Sequence, residues 1–273
     1  MTFRDALVSA YCEEPCRVLP NAIWKTLREV DKLETSFEVR NGVVMQLEMG
    51  DAEGLHLYWH RDRYPPNIPE NRLSHLKFVL IHRDYLRAFP LEYFSARKHY
   101  FRLIHRNLTT SAAKLPSGFR IVGVNIDTEA DTVAGLIGNC YDHINPTAEM
   151  VRKWTSYTVF DRDSWIWVID VRKGIPVGLG IAEVDREILE ASLEWIQVLP
   201  EYRGKGLGEC IVLELLARLH DRIRFATVSG EVENRTNPQG LYRGCGFRGD
   251  DTWWLFRRQA TTVGFENPTY GPG

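Results

Sequence analysis

The stretch Val198-Leu199-Pro200-Glu201-Tyr202-Arg203-Gly204-Lys205-Gly206-Leu207-Gly208 sets three glycines at alternate positions between an apolar run and a change of period. Before it, Leu193 to Leu199 has the composition of a strand. After it, Ile211, Val212, Leu215, Leu216 and Leu219 recur at helical spacing, with Glu209, Glu214, Arg218 and Arg222 on the other side. A strand that feeds a glycine-rich turn into a helix start leaves several backbone N–H groups without partners and pointing one way. Together with the helix dipole they make an anion site. The glycines let a diphosphate approach the backbone closely. Three glycines also serve a plain tight turn, so the surrounding residues must decide. A nucleoside-triphosphate loop needs Ser or Thr directly behind its lysine, and Lys205 is followed by Gly206. A dinucleotide fingerprint needs the first strand of a parallel unit and a ribose-binding acid about 20 residues on, and neither stands out.

On either side of this loop the pattern is regular from Phe119 onward. Phe119 to Asn125 reads as a strand, and Asp127 is predicted to cap a helix through Val133, Ala134 and Ile137. Asn145-Pro146 is predicted to open a second helix that ends at Trp154. Trp165 to Ile169 and Ile175 to Val184 flank Arg172-Lys173-Gly174, a hairpin signal. Phe225 to Val232 returns to strand composition, Asn237-Pro238 opens a short helix through Leu241 and Tyr242, and Thr252 to Phe256 closes with a strand. The order is strand, two helices, three strands, helix, strand, helix, strand. It predicts an α/β (α+β) fold, a mixed sheet flanked by helices.

The first part of the chain is less regular. Phe37 to Val44 and Leu55 to Trp59 read as strands, Arg72 to Arg87 as a helix, and Tyr100 to Leu108 as a loosely alternating strand. Thr109 to Gly118 is small, polar and ended by Pro and Gly, as in a linker or a long turn. After Gln259 the chain is rich in Thr, Gly and Pro and is expected to fray. The expected division is an N-terminal α/β half over 1–115, a second domain over 116–260 and a flexible tail over 261–273.

Bulk composition narrows the class. At 273 residues, 44 % hydrophobic and 26 % charged, the chain fits one or two soluble domains with a sizeable core. A net charge of −2 gives no global electrostatic reason to expect nucleic acid or an anionic membrane as partner. The opening residues show no basic stretch followed by an apolar one, and no apolar run of about 18 residues occurs, so a cytoplasmic location is expected. Cys12, Cys16, Cys140, Cys210 and Cys245 form an odd, scattered set, read as reduced thiols with no structural metal. His56 and His60 sit in an alternating, strand-like run where a four-residue spacing forms no ligand pair. The tryptophan pairs Trp165/Trp167 and Trp253/Trp254 read as core and sheet-face packing.

The loop resembles motif A of the Gcn5-related N-acetyltransferase family: Arg or Gln, two residues, Gly, one residue, then Gly or Ala. Arg203, Gly206 and Gly208 fill that signature, preceded by Val198 and Pro200 as at the family's usual strand end. A second family block follows in order: Asn234 or Asn237, then Leu241-Tyr242, then Gly246-Phe247. The resemblance covers roughly residues 118–258. It implies a mostly antiparallel twisted sheet, an acetyl-CoA cosubstrate without a metal, and direct attack of an amine on the thioester. On this resemblance Arg203, Gly204, Lys205, Gly206, Leu207 and Gly208 hold the pyrophosphate, and Gln197, Val198 and Leu199 pair with the pantetheine arm along a splayed strand edge. Asn234 or Asn237 also contacts the cofactor.

The resemblance further implies that Tyr242 is the acid that protonates the departing thiolate. An ammonium acceptor must lose a proton before it attacks. Glu194 is the expected base because on a regular strand it shares a face with Val198, a parity that a bulge would break; Glu231 and Glu233 are alternatives. The expected function is acetyl transfer to a primary amine of a small molecule in preference to a peptide, by a monomer or homodimer. The alternative is a catalytically silent acyl-CoA-binding module. By analogy with family members of this length, residues 1–115 are expected to be a degenerate copy of the same fold that walls the acceptor site.

Overall fold

A computed structural model describes residues 1–108, 114–141, 144–234 and 236–258. The tail over 261–273 and the first half of the expected linker, Thr109 to Ala113, therefore lie outside the described residues. In chain order the helices and strands are α1 (Phe3–Glu13), α2 (Pro15–Val18), α3 (Ile23–Leu27), β1 (Glu34–Arg40), β2 (Val43–Gly50), β3 (Gly54–His60), β4 (Phe78–His82) and β5 (Ala96–His105). There follow β6 (Phe119–Gly123), α4 (Ile126–Cys140), α5 (Ala148–Trp154), β7 (Trp165–Asp170), β8 (Ile175–Asp185) and β9 (Glu190–Val198). The chain continues through α6 (Leu207–Leu219), β10 (Phe225–Glu231), α7 (Pro238–Gly244) and β11 (Arg248–Arg257). From Phe119 onward this is the predicted order, in a mixed and mostly antiparallel arrangement flanked by helices.

The chain divides into two compact units. Of the described residues, the first comprises Met1–Leu103, Ser229–Thr236 and 249–258; the second comprises Ile104–Val228 and Asn237–Arg248. In the first unit the strands lie in the order β1-β2-β3-β4-β11-β5. β1, β2 and β3 form an antiparallel meander, and β4 then runs parallel to β3 with Gly54 opposite Phe78. The second unit has the order β10-β9-β8-β7-β6, again with an antiparallel meander, β7-β8-β9, followed by a parallel strand, β10.

The run Trp165-Ile166-Trp167-Val168-Ile169 is apolar at every position because β7 is covered on both faces. Trp165, Trp167 and Ile169 join Leu179 and Ile181 of β8 in a core beneath α4 and α5. On the opposite face α6 lies on β8, where Gly178 and Gly180 leave room for it. A Cβ on Gly180 would stand 2.5 Å from Cγ2 of Ile211 and 3.2 Å from Cδ1 of Leu215. The predicted apolar stripe of α6, from Ile211 to Leu219, is buried there. Each such side chain contributes about 1.5–3 kcal/mol to holding the helix on the sheet.

Several local expectations differ from the structure. Asp127 lies inside the first turn of α4, whose N-cap is Asn125; the Asn125 N–H is held at 2.7 Å by the Glu129 carboxylate. The second helix opens two residues past Pro146, at Ala148: Thr147 is the cap, and its hydroxyl accepts from the Met150 N–H at 3.2 Å. Phe37 to Val44 is two strands, because Asn41 and Gly42 both take positive φ and reverse the chain between β1 and β2. Arg72 to Arg87 is no helix but short 3₁₀ turns on either side of β4, whose Val79, Leu80 and Ile81 are buried.

Candidate active site

The loop between β9 and α6 is held at its near end. The Leu199 N–H bonds the Val177 carbonyl at 3.0 Å, and Leu199 lies just past the strand, leading a 3₁₀ turn over Pro200–Tyr202. The Tyr202 hydroxyl donates to the Asp170 carboxylate at 3.0 Å, and the Lys205 ammonium stands 4.6 Å from the centre of the Tyr202 ring. The Arg203 side chain folds back so that Nε donates to the Val198 carbonyl at 3.1 Å.

Beyond this anchor the backbone opens. Gly204 and Gly206 take φ of +76° and +78°, a region costly for residues with a Cβ, and no atom lies within 4 Å of where a Cβ would sit on either. Gly206 is the N-cap of α6 and supplies no side chain to it; the first closed helical bond is Cys210 N–H to the Gly206 carbonyl at 3.1 Å. Among the described residues, the backbone N–H groups from Gly204 through Glu209 have no hydrogen-bond acceptor. Gly208 brings α7 close, since a Cβ there would meet Leu241 at 3.2 Å.

β9 beside the loop has a free edge. Its parallel pairing with β10 covers Glu190 to Leu193, so Trp195 to Val198 have no ladder partner on that side among the described residues. Toward β8 the register shifts: Leu193 lies opposite Ala182 and Trp195 opposite Ile181, leaving Glu194 as the extra residue of a bulge. The parity that put Glu194 with Val198 therefore fails. Val198 lies opposite Gly178, on the face that α6 covers, whereas Trp195 and Gln197 lie opposite Ile181 and Leu179 of the α4/α5 core. Glu194 turns with them. It is buried and accepts from the Ser192 hydroxyl at 2.6 Å.

On that face Gln197 donates through Nε2 to the Tyr141 hydroxyl at 2.7 Å. The Trp195 ring stacks on Trp154 at 5.5 Å and meets Tyr141 edge-on at 6.1 Å. Tyr242, on α7, is only 4 % exposed, and its ring packs edge-on against Phe247 at 5.8 Å. Burial drives the Tyr242 phenol well above its usual range, and the neighbouring Tyr141, Cys245 and Glu194 add to the effect. The phenol is therefore protonated at neutral pH, in electrostatic reach of the Glu194 carboxylate. Burial also raises the Tyr141 phenol, partly offset by the bond from Gln197.

The other expected contacts have local duties. Asn237 sits at φ 47° as the cap of α7 and accepts from the Gly240 N–H at 3.3 Å. Asn234 holds its own turn, accepting from the Thr236 N–H and hydroxyl at 2.9 and 2.8 Å. Asn234, Glu231 and Glu233 belong to the first unit, where Glu231 pairs with Lys98 at 3.4 Å. Sequence reasoning missed Ser192 and Tyr141 as partners of Glu194 and Gln197. It also missed the role of Gly178 and Gly180, although small residues two apart in an apolar strand signal a close approach. Among the described residues no cluster of His, Cys, Asp and Glu could hold a metal ion, and no helix is long and apolar enough to cross a membrane.

Residues 162–249 match the family model described as the acetyltransferase (GNAT) domain. Among solved structures, the chain resembles a GCN5-related N-acetyltransferase from Sphaerobacter thermophilus, with a TM-score of 0.67 and 15 % identity over 96 % of each chain. It also resembles a GNAT-family acetyltransferase from Colwellia psychrerythraea, with a TM-score of 0.59 and 14 % identity over 92 % of this chain and 94 % of that one. A tandem GNAT protein from the clavulanic acid biosynthesis pathway follows with a TM-score of 0.52 and 12 % identity over 84 % and 85 %. No curated protein matches by sequence. At these identities the likeness is one of fold, and it extends over most of the chain. The protein thus has the GNAT N-acetyltransferase fold, with the match to the GNAT acetyltransferase domain confined to residues 162–249.

Proposed function

We propose that the protein transfers an acetyl group from acetyl-CoA to a primary amine of a small molecule. The observation that carries this reading is the row of acceptorless N–H groups from Gly204 to Glu209, next to the unpaired edge of β9. The row and the start of α6 suit a pyrophosphate, contacted by the backbone of Gly204 to Gly208 and by the Lys205 charge, while the Arg203 N–H is already bonded to the Pro200 carbonyl at 3.2 Å. The edge from Trp195 to Val198, which has no ladder partner on that side, suits the amides of a pantetheine arm, as in strand addition. Asn237 is the asparagine of the second unit, so it is the better placed of the two to add a contact.

In the reaction the amine nitrogen attacks the thioester carbonyl, the carbon–sulfur bond breaks, and the sulfur leaves as thiolate. Tyr242, protonated at neutral pH, gives that thiolate its proton, and Glu194 takes the proton the amine must lose. The bulge favours Glu194 over Glu231 and Glu233, because it turns the carboxylate toward Tyr141, Gln197 and Tyr242. The stacked Trp195 and Trp154 favour an acceptor with an apolar body. The repeated pattern of a meander followed by a parallel strand supports reading the first unit as a degenerate copy of the fold. Its crossover from β3 to β4 lacks an arginine–glycine loop.

Thiol release from acetyl-CoA against a panel of small amines, with Tyr242→Phe as control, tests the reading. Turnover that collapses in Tyr242→Phe is the expected result. Saturable CoA binding without turnover on any amine would leave a silent acyl-CoA-binding module instead.

A further inference from the structure

The two compact units fill the space beside their meanders differently. In the second unit the crossover from β9 to β10 contains α6, whose apolar face closes on β8. In the first unit the crossover from β3 to β4 contains Pro65, Pro66 and Pro69, which do not sustain a helix, and it forms only a 3₁₀ turn at Glu70–Arg72. A cavity of about 350 Å³ remains between that crossover and the sheet face. Its size is that of a small-molecule site.

The cavity has an apolar floor and a charged rim. Leu55, Leu73, Leu76 and Phe89 line it and are themselves buried. Tyr58 also lines it at 2 % exposure, and its hydroxyl has no hydrogen-bond partner among the described residues. Burial, reinforced by the Glu48 carboxylate and opposed by Arg72, pushes this phenol up to about 12, so its oxygen stays neutral. At the rim Glu48 pairs with Arg72. Burial would push the Asp51 carboxyl up, but hydrogen bonds from the Glu53 and Gly54 amides and from His56 outweigh it and keep Asp51 ionised. Glu34 adds a third carboxylate, set against one arginine and His75.

We infer that this cavity is a binding site for a small organic cation, a primary ammonium on an apolar body. The body lies on Leu55, Leu73, Leu76 and Phe89, where it replaces the missing helix face. The ammonium donates to the Tyr58 hydroxyl oxygen and the Glu48 carboxylate. A carboxylate ligand is disfavoured because it would meet Glu34, Glu48 and Asp51. The site lies wholly within the first unit and does not rest on the acetyl-transfer reading.

Calorimetric titration of the whole protein with phenethylamine tests this, with 2-phenylethanol as the uncharged counterpart. Saturable binding of the amine is expected, at least about tenfold tighter than the alcohol, since a hydrogen bond to a charged group is worth that much. Glu48→Gln should weaken the amine about tenfold, and Leu73→Trp, which fills the cavity, should abolish its binding. Thermal unfolding of both variants checks that they are folded, and Tyr58→Phe, a milder change, should weaken the amine in a protein of unchanged fold. No saturable amine binding would overturn the inference. So would binding that Glu48→Gln, Tyr58→Phe and Leu73→Trp all leave unchanged, because the amine would then occupy another site.

Discussion

Tyr242 and Glu194 form a matched pair: a buried phenol held protonated, and a carboxylate beside it turned by a bulge. If they are acid and base, Tyr242→Phe should lower kcat by about 10²–10⁴ and leave KM for acetyl-CoA nearly unchanged. Steady-state kinetics read this, and a kcat within a factor of two of the parent would make Tyr242 a packing residue. Glu194→Gln should remove the acid limb of the kcat/KM profile against pH, and an unaltered limb would return the base role to another group. Tyr242 is proposed from the sequence because it stands in the Leu-Tyr, Gly-Phe frame of the family block, and the buried position of its ring is compatible with that frame. Glu194 was reached by strand parity, a premise the bulge overturns. No local pattern announces one extra residue in β9. Tyr141 was not legible either: it meets Gln197 from 56 positions away, and its own neighbours give no hint of the bond.

The helix α6 owes its place to two glycines of β8. Gly180→Val would press Ile211, Ile166 and Leu215 apart, and overpacking of this kind costs about 1–3 kcal/mol. Denaturant unfolding should show that loss, together with weaker CoA binding as the start of α6 shifts. Undiminished stability would mean that α6 does not need the glycine track. The helix itself was plain from its 3.6-residue period, and the β7–β8 hairpin from Gly174. Asn41-Gly42 was an equally strong turn signal, overlooked because apolar residues flank it closely on both sides. The misplaced helix over Arg72 to Arg87 has a different cause: Leu73, Leu76, Val79 and Leu80 recur at helical spacing, yet Val79, Leu80 and Ile81 are a short buried strand. Periodicity alone does not separate a buried strand from a helix segment in so short a run.

Burial in the second unit is open to pH at one histidine. In the second unit, burial pushes the His105 imidazole below its ordinary value of 6.5, against a hydrogen bond to the Cys245 backbone. Between the folded value and 6.5 the unfolded chain binds the extra proton, so this stability is complete above 6.5 and drains as pH falls through the folded value. The melting temperature should drop from pH 7 to pH 5, and His105→Phe should flatten part of that drop. Equal slopes in the two proteins would remove His105 as a cause. The second unit was readable from the sequence almost element by element, because its strands and helices each bury a clean face against a neighbour in the same segment. The first unit was not, since its crossover forms no helix and β11, from the far end of the chain, completes its strand order.

Pyrophosphate binding at the N–H groups that lead into α6 is tested most directly by CoA affinity, measured by calorimetry for the parent, Gly206→Ala and Gly206→Glu. Gly206→Ala reports the strain of a Cβ at φ +78°, worth about 1–2 kcal/mol. Gly206→Glu adds a negative charge where phosphates should lie. It should bind CoA about 100-fold more weakly than Gly206→Ala, the loss of two charge-assisted hydrogen bonds at roughly 1.5 kcal/mol each. Equal CoA affinity in the alanine and glutamate variants would show that no phosphate sits there.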